Sequence, residues 1–306
     1  MAAAEITGIP TIDLIDFPRQ SEKLLQACED WGSFRLINHD VPLTLLSEVK
    51  SVVRSLFDRP DEIKRRNTAV IPGSGYLALK PDYPLYEALG LYDIVSDNAL
   101  DNFCSQLDAT PQERETMKLF AGKLHELGKD LGRKIAASVG LTSNLFDGWT
   151  CQFRINKYHF TEETVGSVGV ITHTDSSFLT ILLDDESVGG LEVLDKSGTF
   201  VAVDPLPGSL LVNLGDVAKV WSNGRMCNVK HRVMCKEAVT RFSVAMFVLG
   251  PKEEEAIEAP AELLKPDQPR VYHPFTYNEY RKLRIAHGHQ AGEALSIYEV
   301  ENAPSA

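Results

Sequence analysis

The sequence predicts a mixed α and β fold with a helical flank, a central β region and a helical tail. The first 150 residues carry apolar positions at mainly helical spacing. From residue 151 to residue 250 the pattern changes to short runs of β-branched and aromatic residues, separated by Gly, Pro, Asp or Asn. Many short strands at close intervals are typical of a sandwich or barrel made of two sheets.

Three helices are predicted in the N-terminal part. Ser21 is suited to cap the first, and Pro42 to occupy the first turn of the second. The apolar face of the second helix would be Leu45, Leu46, Val49, Val52, Val53, Leu56 and Phe57. The third has the strongest signal, because Thr110, Pro111 and Glu113 form a capping box with proline at the first helical position. Its apolar period continues to Val139, and Gly140 is placed to end it.

Seven strand-like runs follow in the β region. They are Cys151–Phe160, Phe178–Leu183, Gly190–Leu194, Phe200–Val203, Ser209–Leu214, His231–Cys235 and Arg241–Leu249. Beyond them we expect a solvated acidic linker with Glu253, Glu254, Glu255 and Glu258. A last helix is expected to open at Thr276, with Glu279 in the capping position.

Composition excludes several classes of partner. Lys and Arg total 31 against 43 Asp and Glu, a net charge of −12, and no basic run is present, so nucleic acid is not an expected partner. No apolar stretch approaches the roughly 18 residues of a membrane span, and the first residues do not resemble a signal peptide. The five cysteines form no CxxC pair, which is typical of reduced thiols. We therefore expect a cytoplasmic protein without a membrane partner.

A metal site is indicated by His173, Asp175 and His231. Residues i and i+2 of an extended segment project to the same side, so His173 and Asp175 can reach one ion. A histidine from a distant strand would complete a set of two His and one carboxylate, which leaves positions open on a non-haem Fe(II). The H-x-D pattern alone is weak evidence, and His231 could instead be a surface or core-edge histidine.

Arg241 and Ser243 form a second pattern, because they share one face of a predicted strand with Ala245 and Phe247. An arginine on an apolar face is costly unless a carboxylate meets it. Guanidinium and hydroxyl together suit a dicarboxylic acid, although a salt bridge to an internal Asp or Glu would satisfy the arginine as well.

Taken in order, these residues resemble the plant 2-oxoglutarate- and Fe(II)-dependent dioxygenases. The resemblance covers nearly the whole chain. It includes Ile9–Leu14, the Trp31–His39 segment, Asn156-x-Tyr158, Gly189–Val193, Val212–Asp216, Trp221–Gly224 and His231–Val233. It implies a double-stranded β-helix, or jelly roll, with helices outside it. It also implies that His173, Asp175 and His231 hold Fe(II), and that dioxygen and 2-oxoglutarate react there. Arg241 and Ser243 would receive the distal carboxylate of 2-oxoglutarate, with hydrogen bonds from Tyr158 and Asn156.

Other segments separate the chain from the commoner members. Lys157, His159 and Phe160 stand where those members have Tyr-Pro-Pro, and the resemblance argues against His159 as a metal ligand. Phe153–Phe160, Gly73–Tyr76, Tyr86–Asp93 and Asn228–Val233 are similar to a subgroup that oxidises the auxin indole-3-acetic acid. The product of that reaction is 2-oxindole-3-acetic acid, with succinate and CO2 as co-products.

Substrate contacts are predicted less directly. An indole needs flat apolar walls, for which Phe178, Phe160, Phe153 and Tyr76 are candidates, each with a place in the core as the alternative. Arg154 alternates onto the face of Asn156 and Tyr158, so it could anchor an anionic substrate or form a salt bridge within the sheet. Gly73-x-Gly75 could be a lid hinge or a plain turn.

Residues 1–306 are thus expected to form a single dioxygenase domain. Its parts would be a mainly helical segment 1–150, a jelly-roll core 151–250 with the iron site, and a linker and helix 251–306. Three other functions remain open at this point. They are the same chemistry on another small plant acid or phenolic of gibberellin type, an Fe(II) oxidase that does not use 2-oxoglutarate, and a jelly-roll protein that binds a small molecule without turnover.

Overall fold

Two main β-sheets, a short two-stranded sheet and a set of covering helices make up the computed structural model, which describes residues 8–81, 84–252, 255–288 and 292–301. The N-terminal elements are β1 (Thr11–Asp13), α1 (Ser21–Asp30), β2 (Ser33–Ile37), α2 (Leu43–Phe57), α3 (Asp61–Lys64), β3 (Tyr86–Tyr92), α4 (Asp97–Gln106) and α5 (Pro111–Ser138). The central elements are β4 (Trp149–Tyr158), β5 (Val168–His173), β6 (Leu179–Leu183), β7 (Leu191–Leu194), β8 (Phe200–Ala202), β9 (Leu210–Leu214), α6 (Asp216–Trp221), β10 (His231–Met234) and β11 (Arg241–Pro251). The C-terminal elements are β12 (Ala256–Ile257), β13 (Phe275–Thr276) and α7 (Tyr277–His287).

The larger sheet has the strand order β1-β2-β9-β6-β11-β4-β3, and the smaller one the order β5-β10-β7-β8. Most of these pairings are antiparallel; β1 and β2 are parallel. The strands β1, β2 and β3 come from the N-terminal part and extend the same sheet that contains β4 and β11. This arrangement confirms the predicted jelly roll with flanking helices.

Strand alternation gives the larger sheet two different faces. On β11, Val244, Met246 and Val248 belong to the main hydrophobic core on the helical side. Arg241 and Ser243 lie on the opposite face of the strand, with Ala245 and Phe247, and line a cavity inside the jelly roll. Successive residues of one strand therefore divide between the core and the candidate site.

Helix α5 covers the outer face of this sheet. Phe120 of α5 stacks on Phe153 of β4 with ring centres 5.6 Å apart. A Cβ at Gly128 would lie 3.2 Å from the terminal methyl of Met246, so the helix approaches the sheet closely at this glycine. Close packing of α5 gives the strands that line the cavity a rigid support.

The helix predictions are confirmed in most details. All seven apolar residues predicted for the face of α2 are buried. Both capping boxes are formed, by Thr110 with Glu113 and by Thr276 with Glu279. The cap at Ser21 was wrong, because Ser21 is the first residue of α1 and the cap position is Gln20, whose side chain makes no capping hydrogen bond.

Part of the predicted acidic linker, Glu253 and Glu254, lies outside the described residues. Directly after them, β12 pairs with β13, so the linker region also contains a short strand. Within the described ranges, no helix is both long enough and apolar enough to cross a membrane.

Candidate active site

The three predicted metal ligands meet at one end of the jelly roll. His173 is the last residue of β5 and lies opposite His231, the first residue of β10, in the antiparallel ladder. Asp175 follows in the loop after β5, with its Oδ1 3.7 Å from Nε2 of His173 and 3.8 Å from Nε2 of His231. One ligand atom of each residue lies within 4.8 Å of the others, a spacing that fits a single metal ion.

Neighbouring groups hold these side chains in a form that can bind a metal. Nδ1 of His173 lies 2.8 Å from the carbonyl of Ile171, and Nδ1 of His231 lies 3.2 Å from the carbonyl of Val229. If each Nδ1 carries the proton, both Nε2 atoms are free to bind a metal. Burial, with the charge of His231, lowers the pKa of His173 to about 4, which favours the neutral ligand. The hydroxyl of Thr180 donates to Oδ2 of Asp175 and leaves Oδ1 facing the histidines.

Arg241 lies deeper in the same cavity and is 1% exposed. Its Nη2 forms an ion pair with Asp184, which is the internal salt bridge considered above. Nε and Nη1 are buried and have no hydrogen-bond partner among the described residues. Burial acts to lower the pKa of this guanidinium, but Asp184, Tyr158 and Asp185 together outweigh it and the pKa is raised.

Buried polar atoms without a partner are costly, so two nitrogens of a charged side chain that lack a partner indicate a place for an anion. Arg241 with its remaining donors therefore fits the distal carboxylate of 2-oxoglutarate. Asp184 satisfies only part of the guanidinium, so the internal salt bridge is formed and leaves two nitrogens of Arg241 available to a carboxylate.

The other predicted 2-oxoglutarate residues surround Arg241. In the β4–β11 ladder Tyr158 lies opposite Arg241, and Asn156 lies opposite Ser243. Nδ2 of Asn156 donates to the hydroxyl of Ser243 at 3.1 Å, and the hydroxyl of Tyr86 donates to Oδ1 of Asn156 at 2.9 Å. These contacts fix the orientation of the Asn156 amide and give the cavity a continuous polar wall.

A cavity of about 100 Å³ connects these groups. The three metal ligands, Arg241, Ser243, Asn156 and Tyr158 all line it. Arg154 lines it as well and also lines a wider cleft beside the loop 71–76. Nη1 of Arg154 donates to the carbonyls of Gly73 at 3.1 Å and Gly75 at 2.6 Å. The predicted sites for iron, cosubstrate and substrate anchor are thus brought together.

Three of the predicted aromatic walls lie elsewhere. Phe153 packs against α5 through Phe120. Phe178 lies in an aromatic cluster, with its ring centre 4.9 Å from that of Phe146 and 5.4 Å from that of Trp221. Phe160 is buried against the ring of Tyr158 at 5.6 Å, and like the other two it does not line the cavity. All three residues are apolar and buried. They therefore belong to the hydrophobic core, which was the alternative to a substrate contact.

Tyr76 stands at the outer cleft, not on the cavity wall. Its hydroxyl contacts the carboxylates of Glu87 at 2.7 Å and Asp61 at 3.0 Å, and it therefore ties the loop 71–76 to the body of the protein. His159 contacts Oε1 of the same Glu87 carboxylate at 2.8 Å and is not one of the residues brought together at the metal site.

Two family descriptions match the chain. Residues 149–250 match the 2OG-Fe(II) oxygenase superfamily, and residues 9–81 match the N-terminal region described as non-haem dioxygenase in morphine synthesis. The chain is 51% identical over 294 residues to the 2-oxoglutarate-dependent dioxygenase DAO of Oryza sativa subsp. indica, which covers 94% of this chain and 98% of that protein. The chain belongs to the 2-oxoglutarate- and Fe(II)-dependent oxygenase family.

Solved structures of such oxygenases have the same fold. The crystal structure of the rice dioxygenase for auxin oxidation has a TM-score of 0.89 at 51% identity and covers 95% of this chain and 100% of that one. The Arabidopsis thaliana dioxygenase for auxin oxidation 1, in its binary complex with 2-oxoglutarate, has a TM-score of 0.83 at 54% identity, over 86% of this chain and 100% of that one. Gibberellin 3-beta-dioxygenase 1 of Pisum sativum is 33% identical, over 95% of this chain and 80% of that protein.

This oxygenase is therefore an oxidoreductase whose cofactor is Fe(II) and whose cosubstrate is 2-oxoglutarate, as predicted. Its His-x-Asp…His set forms one cluster, and the unpaired donors of Arg241 suit a dicarboxylate. The small sheet supplies both histidines and the large sheet supplies Arg241, so the jelly roll itself brings the two parts of the site together.

Sequence reasoning missed several residues of this oxygenase site. Asp184 pairs with Arg241, Thr180 holds Asp175, and Tyr86 holds Asn156. Only Asp184 had a usable signal, because an acidic pair directly follows the apolar strand β6. Thr180 and Tyr86 lie within strands and have no local feature that separates them from other strand residues.

Proposed function

We propose that this enzyme oxidises indole-3-acetic acid to 2-oxindole-3-acetic acid. In the balanced reaction, one oxygen atom of dioxygen enters the indole product and the other enters succinate, while 2-oxoglutarate loses CO2. The proposal is supported by 51% identity to a rice protein whose solved structure is named dioxygenase for auxin oxidation. Identity to the gibberellin dioxygenase is lower, at 33%.

The observation that carries the proposal is a second guanidinium on the cavity wall. Arg154 and Arg241 lie four residues apart along the β4–β11 ladder, since Arg241 pairs with Tyr158 and Arg154 with Ala245. That spacing is about 13 Å along the strands. Two separate cations suit two separate anions, 2-oxoglutarate at Arg241 and the substrate carboxylate at Arg154.

Arg154 has donors left for such a carboxylate. Only its Nη1 is used, for the carbonyls of Gly73 and Gly75, and the structure pairs it with no carboxylate among the described residues. Those carbonyls hold the guanidinium without neutralising it. An arginine that is positioned but uncompensated favours an anionic ligand.

The remaining residues have the following roles in this proposal. His173, Asp175 and His231 would hold Fe(II), which when bound supplies the activation of dioxygen. Arg241 and Ser243, with Asn156 and Tyr158, would bind the distal carboxylate of 2-oxoglutarate and orient its 2-oxo acid end toward the metal ligands. The apolar residues Leu182, Leu191, Val233 and Phe247, which also line the cavity, would keep water away from the reacting groups.

Overall charge makes these local cations necessary. With a net charge of −12, the protein as a whole repels both anions. Binding of the two anions must then depend on local cations, and Arg241 and Arg154 both line the cavity.

The proposal is tested by reconstituting the protein anaerobically with Fe(II) and 2-oxoglutarate, adding dioxygen and an acid, and measuring succinate and the indole product. We expect indole-3-acetate to stimulate succinate release above a gibberellin and a phenolic acid, with one oxindole formed per succinate. Asp175→Asn is the inactive reference and Asp267→Asn, at an exposed carboxylate, is its matched control.

Three outcomes would contradict the proposal in different ways. Failure of indole-3-acetate to stimulate turnover would reject the substrate. Activity after rigorous removal of 2-oxoglutarate would indicate an oxidase of another type. Indole-3-acetate binding without any turnover would indicate a binding protein.

We also propose a cytoplasmic location and a single dioxygenase domain. The location is supported by five free cysteines, four of which are buried as reduced thiols. The single domain is supported by β1, β2 and β3, which are hydrogen-bonded into the same sheet as the strands of the site.

A further inference from the structure

Helix α7 contacts the metal-binding loop from outside the jelly roll. Tyr277, Arg281 and Arg284 are spaced i, i+4 and i+7, so they lie on one face of the helix. Two of them reach the residues on either side of Asp175, which lies between Thr174 and Ser176.

Arg284 makes the more extensive of these contacts. Its Nη2 donates to the backbone carbonyl of Thr174, and its Nη1 donates to the Thr174 hydroxyl at 3.1 Å. Thr174 is the residue between the ligands His173 and Asp175, and it is fully buried. The planar fork of one arginine therefore fixes both the backbone and the side chain of the residue between two metal ligands.

A buried carboxylate holds Arg284 in place. Asp216 is fully buried, and its Oδ2 accepts from Nη1 of Arg284 and from the hydroxyl of Tyr280 at 2.5 Å. Its Oδ1 accepts from Nδ2 of Asn228 at 2.7 Å. The backbone N–H of Asp216 donates to the carbonyl of Asp175 at 2.8 Å, so this residue also contacts the ligand loop directly.

The second contact runs through Tyr277. Its hydroxyl lies 3.2 Å from the hydroxyl of Ser176 and accepts from Nη1 of Arg281 at 3.2 Å. Nε of Arg281 donates to the carbonyl of Pro72 at 3.1 Å, in the loop whose next carbonyls bind Arg154. One face of α7 thus connects the loop at the cavity mouth with the loop that carries Asp175.

We propose that α7 is a positioning element of the iron site and that Arg284 is its principal positioning residue. By holding Thr174, Arg284 sets the spacing between His173 and Asp175, and it does so without touching metal, cosubstrate or substrate. Groups that orient metal ligands typically change metal affinity by ten- to a hundredfold when they are removed. The proposal builds on the assignment of the metal ligands but not on the identity of the organic substrate.

The test measures the affinity of the metal-free protein for Co(II), by titration with visible absorption and calorimetry, and needs no turnover. Arg284→Lys keeps a positive charge beside Asp216 but loses the planar fork that reaches Thr174. We expect its dissociation constant for Co(II) to rise by about tenfold or more. Lys282→Gln, at an exposed lysine of the same helix, is the matched control and should bind like the wild type.

A second variant separates positioning from stability. The double variant Arg284→Gln with Asp216→Asn removes the buried cation and the buried anion together, so no unpaired charge remains. We expect it to show the same loss of Co(II) affinity while its circular dichroism spectrum at the titration temperature matches the wild type.

Co(II) affinities within twofold of the wild type in both variants would overturn the proposal. So would failure of both variants to fold, since the pair would then be a requirement of the fold and not a positioning device. A wild-type chain that binds no Co(II) would contradict the metal site itself. An active enzyme whose turnover is not stimulated by indole-3-acetate would contradict only the proposed substrate.

Discussion

Arg241 and Tyr158 face each other across the β4–β11 ladder, with the central carbon of the guanidinium 4.8 Å from the centre of the phenol ring. A cation over an aromatic face is attracted to it, and the contact restricts the orientation of the guanidinium. Asp184 holds one nitrogen of the same group. The two free nitrogens are therefore presented in a fixed orientation, and little conformational entropy is lost when a carboxylate binds them.

Arg241→Lys is expected to raise the dissociation constant for 2-oxoglutarate by about tenfold or more. Lysine keeps the charge but has no planar fork, and one lost charge-assisted hydrogen bond corresponds to about 1.5–3 kcal/mol. Calorimetry on the Co(II) form measures this constant directly. Arg133→Lys, on α5 with a side chain 49% exposed, is the control and should bind normally. Equal affinities in the two variants would contradict the role given to Arg241.

Arg154→Gln is expected to raise KM for indole-3-acetate by about tenfold or more while leaving KM for 2-oxoglutarate unchanged. The variant removes a charged donor that would bind the substrate carboxylate, an interaction of roughly 1.5–3 kcal/mol. Steady-state succinate release measures both constants. The neutral amide of the same acid is the control ligand, because its binding should not depend on the charge of Arg154. An equal loss of affinity for the acid and for the amide would indicate that the loop 71–76 is displaced in the variant.

Glu87 should contribute stability that depends on pH. Its side chain is 2% exposed; burial alone would raise its pKa, but hydrogen bonds from His159, Lys64 and Tyr76 lower it from 4.5 to about 2. The stabilisation is therefore complete above about pH 4.5 and is lost as the pH falls toward 2. Glu87→Gln should lower the free energy of unfolding at pH 7 by roughly 3 kcal/mol.

Urea unfolding of the wild type and Glu87→Gln between pH 7 and pH 3 measures this effect. The difference in free energy of unfolding between the two proteins should become smaller as the pH falls below about 4.5. Glu126→Gln, at a side chain 67% exposed, should differ little from the wild type at any pH. A gap for Glu87→Gln that stays constant down to pH 3 would show that its carboxyl is not the titrating group.

Gly90→Ala and Gly122→Ala should have opposite effects on stability. A Cβ at Gly90 in β3 would lie 1.9 Å from the backbone carbonyl oxygen of Ser74, so the loop 71–76 would have to move. We expect a loss of about 1–3 kcal/mol, typical of overpacking. Gly122 in α5 has open space around its Cβ position, and alanine there should add about 0.5–1 kcal/mol. Thermal unfolding measures the stability of both variants. A Gly90→Ala variant as stable as the wild type would show that the loop 71–76 can move without cost.

The capping boxes of α5 and α7, the buried face of α2 and the strand runs of the jelly roll followed from the sequence, because each depends on residues within one or two turns or one strand. The metal set followed from an i, i+2 pair and a family resemblance. In contrast, Phe153 and Phe178 could not be assigned to core or site from their strands alone. Which face of a strand meets helices and which meets the cavity is decided by the packing of whole sheets.

The fold class followed from the sequence, as did the cluster of His173, Asp175 and His231 and the prediction that Arg241 and Ser243 bind 2-oxoglutarate. The contacts that hold these residues come from tertiary packing. Asp184 pairs with Arg241, the carbonyls of Gly73 and Gly75 accept from Arg154, and Arg284 of α7 contacts Thr174 between the two metal ligands. Arg284 is separated from Thr174 by 110 positions. No local periodicity encodes such a contact, since it forms only when elements distant in the chain pack together and a buried charge must find a partner.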